Sequence, residues 1–387
     1  MSEIAIKLNR LQKWSMIIGI LGAVFCCVGF AVARRQFFVS YLWSFVFWIS
    51  LTLGCFYGAT IHYLTAGRWG FSGRRFLEAG FMTLPLTLIF LIPVFFGLHE
   101  LYPWARPNEV AADKVLLHRA GFENVAGYVT RALVFFAIWI LIALRLRKLS
   151  LLQDITDDVA PTIKIRALAG PAIAIVPLTA SFAFIDWAMT IEVKWYSTAF
   201  PVIILAGQLL MAFSFVTLVL AWMRKDFPAA DNKTFHDLSN LLLAFVMFWT
   251  YVAFGQLLII YSGDLPHESS WYLHRIAGGW TWIVGIVVLL NFFVPFFLLL
   301  FRWVKMKIPL LAGIALLVFA IHAVEIYWAV APTFYPKASI HWTDFAAWFG
   351  LGGFWVAVYC GNLKRHPLLA RNDPRQETII VETANAR

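Results

Sequence analysis

The chain has 387 residues, of which 61% are hydrophobic, 17% aromatic and only 13% charged. Soluble domains carry about 25% charged residues, so this composition excludes a soluble enzyme and describes a polytopic membrane protein. The formal charge of +10 sits at the ends of apolar runs, where it reads as basic cytoplasmic loops rather than a nucleic-acid surface.

Ten apolar segments follow in chain order, at about 14–33, 42–65, 79–98, 128–147, 167–185, 199–222, 236–262, 279–301, 308–332 and 343–362. The fold class is therefore all-α, with ten transmembrane helices in a membrane domain over 1–366 and a polar tail over 367–387. The first segment has Lys7, Arg10 and Lys13 ahead of it and Ala31-Val32-Ala33 at its end, like a signal peptide. Its length exceeds the roughly 7–15 residues of a signal h-region, so it is expected to stay as a first span. The N-terminus, the connections after spans 2, 4, 6 and 8 and the tail hold 22 lysines and arginines, counting Arg145 and Arg147 at the end of span 4. The connections on the other side hold 8. That bias puts both termini in the cytoplasm, as an even span count requires. The tail after Lys364, with Pro367 and Pro374, is expected to be loosely ordered.

The extracytoplasmic connections differ in character. Leu98 to Gly127 is the longest, with mixed charge and two prolines. The stretches 186–198 and 263–278 carry Trp187, Trp195, Tyr196, Trp271 and Tyr272. These rings fit either an interfacial belt or a docking surface for a partner outside the membrane. Pro85, Pro93, Pro171, Pro177 and Pro295 lie inside spans, where each removes a backbone donor and favours a kink.

Span 7 is the most informative helix. Between Asp237 and Asp264 lie 26 residues without a charge, which span roughly 39 Å against a hydrocarbon core of about 30 Å. At about 100° per residue, Asn240, Tyr251, Gly255 and Ser262 share one narrow sector. That face is expected to meet protein, and the rest lipid.

Ionisable groups within spans cost about 2.5–3.5 kcal/mol at mid-helix on insertion scales, so they are candidates for function. His322 and Glu325 in span 9 are three apart and share a face. A carboxyl and an imidazole so placed can hold and pass a proton, or can serve as a structural hydrogen bond. His236 and Asp237, His62 and Glu78 fall near the cytoplasmic edge. Asp186 and Arg131 fall near the outer edge. Together they outline two incomplete polar routes, with Tyr251 and Asn291 as candidate bridges. Several chemistries are absent. Cys26, Cys27, Cys55 and Cys360 form no CxxC pair, which argues against an iron–sulfur or zinc site on this chain. His62 and His322 sit near opposite faces, which argues against a bis-histidine haem. The chain has no phosphate loop and no HExxH.

Ser181–Phe200 (SFAFIDWAMTIEVKWYSTAF), the span 7 stretch, Trp271-Tyr272-Leu273-His274-Arg275 and Gly278-Gly279-Trp280 together resemble the NrfD/PsrC-like family of integral membrane subunits. Within it they are most similar to the ActF-type subunits of bacterial alternative complex III, a quinol:cytochrome c or other electron acceptor oxidoreductase. The match runs from about Ala167 to Gly361; the first third fits by span count alone. The resemblance implies two four-helix bundles, spans 2–5 and 6–9, with two peripheral helices, in the bacterial inner membrane. It implies an ActC-like membrane subunit as neighbour, periplasmic iron–sulfur and multihaem cytochrome c subunits docked above, and a terminal oxidase as a further partner. Iron–sulfur clusters and haem c would belong to those partners, with no cofactor held by this chain. Quinol is placed by the resemblance chiefly in ActC, and proton half-channels in ActF-type chains. The family's outer Asp-Trp falls on Asp186 and Trp187, its Trp-Tyr-Ser-Thr on Trp195 to Thr198, its His-Asp-Leu on His236 to Leu238, and its span 9 acid on Glu325. Val193-Lys194 replaces a common proline, Ser239 a usual glycine and Asp264 a usual asparagine, which bears on partner docking. Four readings follow: a non-redox subunit that anchors partners and moves protons, a quinol-oxidising subunit, a secondary transporter, or an inert scaffold.

Overall fold

A computed structural model describes residues 3–374. Among these residues the regular structure is helical, without a strand. In chain order the principal helices are α1 (Glu3–Val32), α2 (Arg34–Thr65), α3 (Arg68–Phe81), α4 (Leu84–Phe96), α5 (Val125–Gln153) and α6 (Ala160–Phe184). There follow α7 (Phe200–Met223), α8 (Asn232–Gly263), α9 (Pro266–Ile276), α10 (Trp280–Val288), α11 (Val294–Leu300), α12 (Ile308–Val330) and α13 (Trp342–Lys364). Helices α3 with α4, and α10 with α11, each make one crossing-length unit. Among the described residues nine such units are long and apolar enough to cross a membrane, so the protein is an all-α, multi-pass membrane protein. The segment expected at 343–362 is the helix α13, which is long enough to cross. Its glycine- and tryptophan-rich sequence leaves it less hydropathic than the other nine.

The prolines act as their chemistry requires, but not equally. Pro295 follows a π turn over Leu289–Phe293, because its ring cannot donate to the carbonyl one turn back and the helix widens to compensate. Pro85 opens α4 after a break at Met82-Thr83. Pro171 and Pro177 stay inside α6. That helix instead runs into a π turn at Ile185–Met189, which carries Asp186 and Trp187.

The molecule is built around α2, whose apolar stretch is buried throughout. It packs on α3, α6, α7, α12 and α13. Small residues permit this. A Cβ on Gly54 would lie 2.0 Å from the carbonyl oxygen of Gln208, so α2 and α7 meet backbone to backbone. Indole donors tie α13 on: Trp48 Nε1 donates to Trp348 O at 2.9 Å and Trp355 Nε1 to Thr52 Oγ1 at 2.8 Å. Helix α1 lies outside, along α13. There a Cβ on Gly22 would stand 2.2 Å from Gly350 Cα.

Two expectations need correction. Helix α8 does not turn its polar sector inward: its buried stripe is Leu238, Leu242, Val246, Trp249, Gln256 and Ile260, while Asn240, Tyr251 and Ser262 are exposed. Lipid is as apolar as leucine, so shape rather than polarity chooses the packed face. The tail is not loose from its start. Asp373 is buried and pairs with Arg74 at 2.9 Å. Gln153 Nε2 donates to Asn372 O at 2.8 Å, and Arg371 N to Asp154 at 2.9 Å. Residues 375–387 of the expected tail lie outside the described residues.

Candidate functional site

The site is a carboxyl–imidazole pair at one end of an apolar cavity. One turn of α12 brings His322 Nδ1 to 2.5 Å from Glu325 Oε2. Across the gap, α8 supplies Trp249, whose Nε1 donates to Glu325 Oε1 at 2.7 Å. Both carboxyl oxygens are thus engaged, and the residue tolerates burial because neighbouring helices shelter it. His322 Nε2 is buried and has no hydrogen-bond partner among the described residues.

Glu325 lines two cavities, and His322 shares one of them. Glu325 lines a cavity of about 650 Å³ between α7, α8, α10 and α12. Its wall is apolar, with Phe200, Ile204, Val287, Phe292 and Ile326 among the lining side chains. That volume falls within the roughly 300–1,000 Å³ of small-molecule sites. His322 lines a second cavity of only about 10 Å³, with Ser50, Gly207 and Gln208. This is about the volume one water needs. Gln208 Nε2 lies 3.5 Å from Ser50 Oγ there. The carboxyl therefore borders both an apolar chamber and a water-sized void that it shares with His322.

Polar groups close the other end of the chamber. Gln256 Nε2 donates to Tyr272 Oη at 3.2 Å and Ser197 Oγ to Gln256 Oε1 at 3.2 Å. Burial pushes the Tyr272 phenol up to about 12, so it stays protonated at neutral pH. Beneath it Arg275 is fully buried and held against the Trp271 ring at 3.9 Å. Its guanidinium donates to Glu192 at 3.2 Å, Ala329 O at 2.7 Å and Thr333 Oγ1 at 3.0 Å. Burial brings its pKa down to about 10, and Glu192 opposes that shift.

The other expected residues fall into separate places. Glu78 is fully buried and accepts from Arg74 at 2.9 Å, Arg75 at 2.7 Å, Tyr63 at 2.8 Å and also Arg147 and Ser150. His62, next to Tyr63, packs edge-on against Trp69 and Phe71. Asp186 and Arg131 form a bidentate pair at 2.8 and 2.9 Å. His236 and Asp237 are half-buried at the start of α8. These networks share no hydrogen-bonded residue with Glu325. Asn291 is buried with both amide atoms unpartnered among the described residues, and Tyr251 is 77% exposed at the cavity wall, so neither bridges to the pair through a hydrogen bond.

The aromatic candidates are mostly internal. Trp187, Trp195 and Trp271 are buried within the chain. Trp195 stacks on Trp271 at 4.8 Å. They fasten the connections between helices, and Tyr196 is the exposed ring of the five. Sequence reasoning passed over Trp249, Gln208, Ser50, Arg275 and the arginines around Glu78. Trp249 and Gln256 stand seven apart on the α8 stripe, a spacing readable in advance. The partners on α2 and α7 are not, because they meet the pair only through tertiary packing.

Among the described residues no three His, Cys, Asp or Glu side chains are grouped to hold a metal ion. No known family model matches the chain, and no curated protein matches it significantly.

Proposed function

We propose that this chain is a proton-handling membrane subunit of a quinol:electron acceptor oxidoreductase of the alternative complex III type. In this reading it crosses the bacterial inner membrane ten times, as two four-helix bundles with both termini cytoplasmic. It anchors an ActC-like subunit and the periplasmic iron–sulfur and haem c subunits. The observation that carries the reading is the hydrogen-bonded Glu325–His322 pair, with Glu325 lining an apolar chamber and both residues lining a water-sized void. A carboxyl can take a proton on the chamber side and hand it across a short hydrogen bond to Nδ1. Nε2 can then release its own proton to the water-sized cell, after which the tautomer resets. Trp249 fixes the carboxyl so that the donor–acceptor distance is set before transfer.

A second reading is favoured by the chamber itself. Its volume and apolar wall suit a quinol ring with part of its isoprenoid tail, which would bring a hydroxyl to Glu325. One preparation tests both. The complex is purified from its native membrane, with and without Glu325→Gln, and reconstituted in vesicles. Multihaem and iron–sulfur subunits copurify with both forms, and the proton-to-electron ratio falls in the variant. Isolation of the wild-type chain without those subunits refutes the complex and leaves a transporter. An unchanged ratio refutes the relay. A quinone photolabel on Trp249 or Phe292 establishes the second reading.

A further inference from the structure

The chain leaves α11 at Phe301 and makes one short helical turn, Arg302–Met306, before α12 begins at Ile308. Three cations stand in this connection: Arg302, Lys305 and Lys307. The turn packs against α8 near its start. There Lys305 Nζ donates to Asn240 Oδ1 at 2.7 Å, and Asn240 Nδ2 lies 3.4 Å from His236 Nδ1. Arg302 is three residues before Lys305, so the two share one face of the turn. The Lys307 ammonium lies 5.2 Å from the centre of the Trp303 ring.

Charge is the first indication of what this corner meets. None of the three cations pairs with a carboxylate among the described residues. Partial burial pushes the Lys305 ammonium below its usual value, and no acid opposes that shift. Asp237, beside His236, lies under the charge of Arg68 instead. A partly desolvated ammonium with no anion of its own gains from one supplied from outside. Lys305 keeps two further N–H donors after Asn240, and Arg302 is exposed.

The surface next to the corner is the second indication. Phe297, Leu300 and Phe301 are exposed and lead along α11 to the turn, where Trp303 is exposed as well. This apolar strip belongs to a unit long enough to cross a membrane. Cations and an indole directly above such a strip stand at the headgroup level of a bilayer. A soluble anion or an acidic protein surface would meet the cations and leave the strip unused.

We propose that the connection between α11 and α12, together with the start of α8, binds one anionic glycerophospholipid. The phosphate meets Arg302 and Lys305, while Asn240 holds the ammonium in place. The acyl chains descend along Phe297 and Leu300.

The test uses the full chain in nanodiscs of equal phosphatidylglycerol and phosphatidylcholine, with the photocrosslinker p-benzoylphenylalanine replacing the exposed Met306. Mass spectrometry of the labelled peptide reads which lipid is captured. Phosphatidylglycerol is expected in several-fold excess. Lys305→Gln lowers that preference about fivefold, the weight of one interfacial cation, and Lys305→Arg keeps it. Lys164→Gln, an exposed cation on α6, leaves it unchanged. The proposal is overturned if the two lipids are captured equally or if Lys305→Gln keeps the preference. It is also overturned if Lys164→Gln lowers the preference as much, which would mean a diffuse field. Loss of the preference in inorganic phosphate, but not in chloride of equal ionic strength, overturns it in favour of a soluble anion.

Discussion

Glu78→Gln removes one carboxylate from a buried cluster and so tests how that network is balanced. Around it lie three guanidinium groups, Arg74, Arg75 and Arg147, and three acids, Glu78, Asp373 and Asp154. Counted over the described residues, the cluster is neutral. The amide leaves a surplus cation, and Arg147 loses the single acidic partner it has among the described residues. Breaking a buried pair typically costs about 3–5 kcal/mol. Polar pairs inside membranes are often weaker, at about 0.6 kcal/mol in measured cycles. The first figure is the relevant one here, because helix packing leaves both partners almost without solvent. We expect a loss of about 3–4 kcal/mol. The assay is reversible unfolding in mixed micelles, with Arg147→Met and the double variant completing a cycle. The double variant should recover most of the loss, since no charge is then left over. A loss under about 1 kcal/mol in Glu78→Gln, or additive losses in the double variant, would refute the reasoning.

Other consequences follow from the same packing. Trp195→Ala deletes a buried indole stacked on Trp271. It should cost about 3–5 kcal/mol and loosen the connection over 190–199; retention of the proposed periplasmic subunits at wild-type level on a purification column would count against a docking role. Gly22→Leu forces a side chain into the Gly350 backbone and should free α1 from α13. Lower hydrogen-exchange protection of α1 reads this out, and unchanged protection would show the contact to be dispensable. Asp373→Asn removes one of the two acids on Arg74 and should speed tryptic cleavage after Arg371 severalfold; an unchanged rate would mean that backbone bonds alone hold the segment.

The helices themselves were plain in the sequence. Apolar runs separated by basic or proline-bearing stretches place nine of ten expected spans on apolar crossing-length units, and a helix on the tenth. His322 and Glu325 were also legible, because a three-residue spacing on a helix puts two side chains on one face whatever surrounds them. The partners were harder to see. Trp249 reaches Glu325 over 76 residues of chain, and Ser50 faces Gln208 over 158. The inward face of α8 was misjudged, since a polarity argument suited to water was applied to a helix in oil.

The amino-acid order by itself determined the number of long apolar helices, the side on which basic residues gather and the pairing of acid with imidazole on α12. Each of these follows from composition and from periodicity within one helix. Only the tertiary structure decided that α2, rather than α8, is the centre. It also decided that Glu325 lines an apolar chamber and shares a water-sized void with His322, and that Asp373 folds back onto Arg74. Those outcomes depend on which small residues let backbones close and which bulky ones hold them apart. That balance is set between helices distant in the chain, and no single helix records it.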